Sequence, residues 1–151
     1  MLRGRGYTTA QRSRGESVTR DCETYLADTI GELGLFYKLA TVAFIGGSLV
    51  THGGQNPIDA GRPGVVGLTG PPRTNFTDAY QVLFEHQAAI EVNSAEDIAA
   101  AAGKLFADPA ELIAMRKRAT DALSTVAGAL PRTVEALLAY MPREEERVRA
   151  T

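Results

Sequence analysis

The chain has 151 residues, a net charge of −2 and one cysteine. That length is enough for one ordinary domain and too short for a two-lobed enzyme. The charge excludes a general nucleic-acid binder, which needs a clear basic excess, and the lone Cys22 excludes an internal disulfide.

Thr8 to Arg14 reads as a strand of mixed pattern, and Glu23 to Ala27 as a second short strand. Gly31 to Leu39 reads as a helix, with Leu33, Phe36 and Tyr37 at helical spacing. Val42 to Ile45 is a continuous apolar run with β-branched residues, the pattern of a buried parallel strand. Asn56 to Gly61 is expected to be a short helix, Val65 to Leu68 a strand, and Asn75 to Glu85 an amphipathic helix. Ala88 to Val92 is the next strand. Three helices follow with no strand between them: Ala95 to Phe106, Pro109 to Gly128 and Pro131 to Tyr140. The tail from Met141 is charged and expected to fray. Repeated strand–helix alternation predicts an α/β fold with a parallel sheet and helices on both faces.

Five helix starts share one grammar: a cap residue, two residues, then an acid. They are Thr29 with Glu32, Asn56 with Asp59, Asn75 with Asp78, Ser94 with Asp97, and Asp108 with Glu111. Each is a capping box or close to one. For Asp78, Asp97 and Glu111 the cap is the whole reading. Glu32 and Asp59 open helices directly after strands or their loops. They therefore fall at the carboxyl edge of the sheet, where open α/β sheets bind ligands.

The first twenty residues hold Arg3, Arg5, Arg12, Arg14 and Arg20 against Glu16 alone, so the segment is basic. A transit peptide has that composition, but a basic surface face of the domain is the preferred reading. No apolar stretch approaches the ~20 residues of a membrane helix. His52 and His86 have no neighbouring Cys pair and no His-x-x-x-His spacing, so no metal site is expected.

The run from Gly46 to Phe76 is the most informative stretch. An apolar strand opens into a glycine-rich loop and then a helix start, which is how α/β proteins turn backbone N–H groups toward a phosphate. Plain turns use glycine too. The particular words carry more: Gly46-Gly47-Ser48, then His52-Gly53-Gly54-Gln55-Asn56-Pro57, then Gly70-Pro71 and Asn75-Phe76. Together with Arg12 to Glu16 and Tyr25 to Tyr37, they resemble the carboxyl-terminal, donor-binding domain of the 3-deoxy-D-manno-octulosonic acid (Kdo) transferases. The match runs from about Leu2 to about Pro142.

The resemblance implies a Rossmann-like domain, the second half of a GT-B glycosyltransferase, with residues 1–142 as the CMP-sugar-binding part and 143–151 as a charged tail. It implies that this chain begins partway into that domain. The acceptor domain and its catalytic carboxylate are then expected outside these residues, so no catalytic base is assigned here. The implied reaction transfers Kdo from CMP-Kdo to lipid A precursor with inversion, without a metal or other cofactor. It takes place at the cytoplasmic face of the inner membrane, and the chain alone is expected to be cytoplasmic and inactive. The residues implied to meet the CMP moiety are Ile30, Gly31 and Glu32 on the cytidine side, and Asn56, Pro57, Ile58 and Asp59 on the ribose and phosphate side. Gly47, Ser48, Gly53, Gly54 and Gln55 are implied as loop contacts. Two departures stand out: Asp59 replaces the family's glutamate, one methylene longer, and Pro72 replaces a frequent histidine. A non-catalytic nucleotide-binding or interaction module, or a non-functional remnant, is the alternative.

Overall fold

The computed structural model describes residues 2–71, 74–126 and 129–140. Pro72, and the tail that begins at Met141, lie outside the described residues. The chain falls into two compact units, Met1–Phe36 and Tyr37–Thr151.

The first unit contains strands β1 (Thr9–Gln11) and β2 (Thr24–Leu26), paired in parallel with Ala10 opposite Tyr25. β1 is shorter than the sequence predicts. Arg12–Arg14 winds into a 3-10 turn instead, closed by Gly15 at φ 66°. Its apolar interior is small, with Ala10 as the buried residue. Polar ties therefore hold much of this unit. Asp28 accepts from the Ser13 amide at 3.0 Å, the Ser13 hydroxyl at 2.7 Å and Gln11 Nε2 at 2.6 Å. Glu16 accepts from the Gln11 amide at 2.9 Å and pairs with Arg3. Glu23 accepts from the Thr8 amide at 2.9 Å. Tyr25 and Phe36 add a tilted ring contact with centroids 6.0 Å apart.

Helix α1 (Leu33–Leu39) spans the division between the units. The second unit continues with β3 (Val42–Phe44), α2 (Ile58–Gly61), β4 (Val66–Thr69), α3 (Thr77–Glu85), β5 (Ala89–Glu91), α4 (Ala95–Ala107), α5 (Pro109–Val126) and α6 (Ala129–Tyr140). Every predicted element is present, most of them one to three residues shorter. The sheet has the order β3-β4-β5, all parallel, with Phe44 opposite Leu68 and Leu68 opposite Ile90. The strands thus divide between a two-stranded and a three-stranded sheet.

Side-chain alternation along β3–β5 builds a core on each face, in three clusters. Val42, Val66, Leu68, Ile90 and Val92 pack with Ile98, Leu105, Leu112 and Met115 from α4 and α5. Ala43, Ile45 and Val65 pack with Ala60 of α2 and Tyr80 of α3. Ala88 and Ala89 pack with Leu83, Ala119 and Leu123. Helices therefore cover both faces of this sheet, and near-continuous apolar strands are the consequence.

The helix starts differ from one another. Ser94 Oγ accepts from the Asp97 amide at 3.0 Å, and Asp97 Oδ2 accepts from the Asn93 amide at 2.9 Å. Asp108 Oδ1 accepts from the Glu111 amide at 3.0 Å. Those two caps are as the sequence predicts. The other three are not. α1 begins at Leu33, so Glu32 precedes the helix and its side chain bonds Thr29 and Arg12 instead. Asn56 caps locally, accepting from the Ile58 amide at 3.0 Å, two residues on. Asn75 does not cap α3; Phe76 stands at that position with φ 58°.

Candidate functional site

β3 and β4 end side by side, and the chain leaves each through glycine. Ser48 ties the two exits together. Its hydroxyl is fully buried, donates to the Ile45 carbonyl at 2.6 Å and accepts from the Gly70 amide at 2.8 Å. The side chain predicted as a loop contact is thus engaged within the fold. Gly70 must be glycine here, because a Cβ would lie 2.0 Å from the Ser48 carbonyl oxygen.

The loop after Ser48 folds back on itself. The Gly54 amide donates to the Gly47 carbonyl at 3.2 Å, and the Gln55 amide to the Gly46 carbonyl at 3.1 Å. Gly53 and Gly54 sit at φ 89° and 80°, a region that side chains rarely enter. Neither has room for a Cβ: at Gly53 it would meet Thr74 Oγ1 at 2.5 Å, and at Gly54 the Tyr80 hydroxyl at 2.9 Å. His52 is a loop histidine; its ring packs on Gly47 and its Nε2 lies 3.2 Å from Gln55 Nε2.

This loop delivers the chain to α2. Gly47, Ser48, Gly53, Gly54 and Gln55 are thereby continuous with Asn56, Pro57, Ile58 and Asp59. Pro57 is buried and Asp59 is exposed in the first turn of α2. Among the described residues no hydrogen bond or ion pair reaches the Asp59 carboxylate. Its charge is felt by Tyr37, whose phenol is pushed above its ordinary range, first by burial and then by Asp59. A hollow of about 450 Å³ opens beside Ile58, bounded by Phe76 to Ala79 at the start of α3. Two hollows elsewhere measure about 540 Å³ along α4 and α5 and about 630 Å³ along α3, and none of the three is lined by Asn56 or Asp59.

Ile30, Gly31 and Glu32 belong to the first unit. Ile30 is fully exposed, and Gly31 at φ 94° has open space where a Cβ would be. Glu32 is held firmly. Arg12 Nε donates to one carboxylate oxygen at 2.9 Å and Nη2 to the other at 2.5 Å, while the Thr29 hydroxyl adds a third bond. These bonds, Arg12 foremost, bring the Glu32 carboxyl down to about 2. A carboxylate has about four lone-pair sites, so one acceptor position remains after three bonds. Asp28 is likewise held at about 2, by the Ser13 hydroxyl and then Gln11.

Sequence reasoning missed the braces around these segments. Asn75 and Tyr80 support the glycine loop, but Asn75 reads as a cap and Tyr80 only as part of an amphipathic helix. Arg12 reads as part of a basic surface face, and it is the partner of Glu32. Among the described residues no cluster of His, Cys, Asp and Glu could hold a metal ion, and no helix is long and apolar enough to cross a membrane.

No protein-family model matches the chain. Individual relatives do. It is 33% identical over 147 residues to a 3-deoxy-D-manno-octulosonic acid transferase of Haemophilus influenzae, covering 95% of this chain and 34% of that protein. It is 36% identical over 138 residues to the transferase of that name from Bordetella pertussis, covering 91% of this chain and 32% of the relative. The chain therefore spans about a third of the length of these relatives. Among solved structures, the C-terminal CMP-Kdo binding domain of WaaA from Acinetobacter baumannii superposes with a TM-score of 0.76 and 28% identity, covering 81% of this chain and 64% of that one. Over most of its length, then, the chain is a homologue of part of the Kdo transferases, with the parallel α/β fold of their C-terminal domain.

Proposed function

We propose that this chain binds the CMP moiety of CMP-Kdo and serves as the donor-binding part of a Kdo glycosyltransferase. The observation that carries this reading is the similarity, in both sequence and fold, to a CMP-Kdo binding domain over 81% of the chain. Residues 1–142 are the proposed CMP-sugar-binding region and 143–151 a charged tail.

The local chemistry supports it. Glycines hold the 46–56 loop close to the carboxyl edge of β3 and β4, and Asp59 follows with a carboxylate that no described residue engages. A carboxylate accepts sugar hydroxyls as charge-assisted hydrogen bonds. Asn56 to Asp59 are proposed on the ribose and phosphate side, with Gly53, Gly54 and Gln55 shaping the approach and Gly47 and Ser48 bracing it. Ile30 offers an exposed apolar side chain and Gly31 an open backbone to a base, and Glu32 keeps one acceptor position for a hydroxyl. On the same reading the acceptor is lipid A precursor, bound by the longer enzyme at the cytoplasmic face of the inner membrane, and no group of this chain acts as the catalytic base.

Calorimetric titration with CMP, and with UMP and AMP as controls, tests the reading. Binding of CMP in preference to both is the expected result. Equal binding of all three, or none, would overturn it.

A further inference from the structure

We propose that Asn75 and Tyr80 are positioning residues for donor binding: they lock the 52–55 loop into the one shape that presents Asn56 to Asp59. This rests on the donor-binding reading above and assigns a role to two side chains that touch no donor themselves.

The geometry is specific. Asn75 Nδ2 donates to the His52 carbonyl at 3.0 Å and to the Gly54 carbonyl at 3.3 Å, while the Asn75 amide donates to the Gly53 carbonyl at 3.1 Å. Tyr80 Oη donates to the Gln55 carbonyl at 2.7 Å. Four successive carbonyls, from residues 52 to 55, are thus each satisfied from one short segment around the start of α3. Two of those four loop residues are glycines at positive φ, which hold the least conformational order by themselves. Order must come from outside the loop, and these bonds supply it.

The anchor is rigid. Tyr80 is 2% exposed and its ring packs with Ile45, Ala60 and Val65. Tyr80 therefore shares one core cluster with the residue just after β3 and the residue that follows Asp59. Loop, strand exit and α2 share one fixed point. Asn75 is freed for the loop because Phe76, not Asn75, stands at the cap of α3.

The bonds predict a loss that global instability does not mimic. Tyr80→Phe removes one hydroxyl and keeps the ring. CMP should bind about 3- to 10-fold more weakly, the worth of one hydrogen bond, and Asn75→Ala should lose more. Amide exchange should accelerate about tenfold or more at Gly54 and Gln55, and stay unchanged at Val66 in β4 and at Ile45 just after β3. Ile90→Val, in the opposite core, is the control: it should lower the melting temperature and leave CMP affinity unchanged. Wild-type exchange at Gly54 and Gln55 in both loop variants would overturn the proposal. So would a loosened loop with unchanged CMP affinity. A flat CMP titration of the wild-type chain counts against the donor-binding reading instead, and the exchange measurement still decides whether the two residues hold the loop.

Discussion

Arg12 and Glu32, twenty residues apart, form a two-point ion pair in which each carboxylate oxygen meets its own guanidinium nitrogen, at 2.9 and 2.5 Å. A fork-to-fork contact fixes the plane of the carboxylate as well as its distance. Glu32 is therefore charged and oriented before any ligand arrives.

A titration follows from that pair. The Glu32 carboxyl in the folded chain should titrate near about 2. In Arg12→Ala it should move up toward the ordinary glutamate value of about 4.3. Carboxyl-carbon NMR of labelled glutamate checks this. An unmoved midpoint would show that Arg12 is not the cause.

Acid should loosen the first unit selectively. Asp28 and Glu32 both have folded carboxyls near about 2, below their unfolded values of about 4. Depressed carboxyls favour the folded state above the unfolded value, and that contribution fades as pH falls from about 4 toward 2. The amide of Ser13, which donates to Asp28, should lose exchange protection across this window. Val66, in the buried sheet, should keep its protection longer.

Ser48→Ala should cost roughly 1–3 kcal/mol, because it removes the buried hydroxyl that accepts from the Gly70 amide and donates to the Ile45 carbonyl. Gly70→Ala should be worse, since its Cβ would strike the Ser48 backbone. Gly103→Ala should do the opposite. It lies inside α4 with nothing within 4 Å of the new methyl, and helix propensity favours alanine by about 1 kcal/mol. Denaturant unfolding of the three variants orders them.

Asp59→Glu should strengthen CMP binding by about 0.5–1.5 kcal/mol, the net worth of one hydrogen bond, and Asp59→Ala should weaken it. The longer side chain extends the carboxylate farther from α2. Equal dissociation constants for all three proteins at one ionic strength would remove Asp59 from the site.

The order of elements was legible because their signals are local: the apolar run Val42 to Ile45, the period of Asn75 to Glu85, the caps at Ser94 and Asp108. Boundaries at Arg12 to Arg14 were not. Whether a basic stretch extends or winds depends on Asp28 gripping Ser13 within it, and that contact is distant in sequence. The candidate loop was legible as words, from Gly46 to Asn56. What holds it was not, because Asn75 has the identity of a cap and the contacts of a brace. The same residue type satisfies either donor pattern, and only the fold chooses.

Helix α5 belongs to both layers of the second unit. Met115 lies in the core on one face of the β3-β4-β5 sheet, while Ala119 and Leu123 lie in the core on the other. One rod thus clasps the sheet from both sides. Neither layer has a boundary along which it separates without dislodging that rod, so heat should melt the two together, as one cooperative event with a single enthalpy.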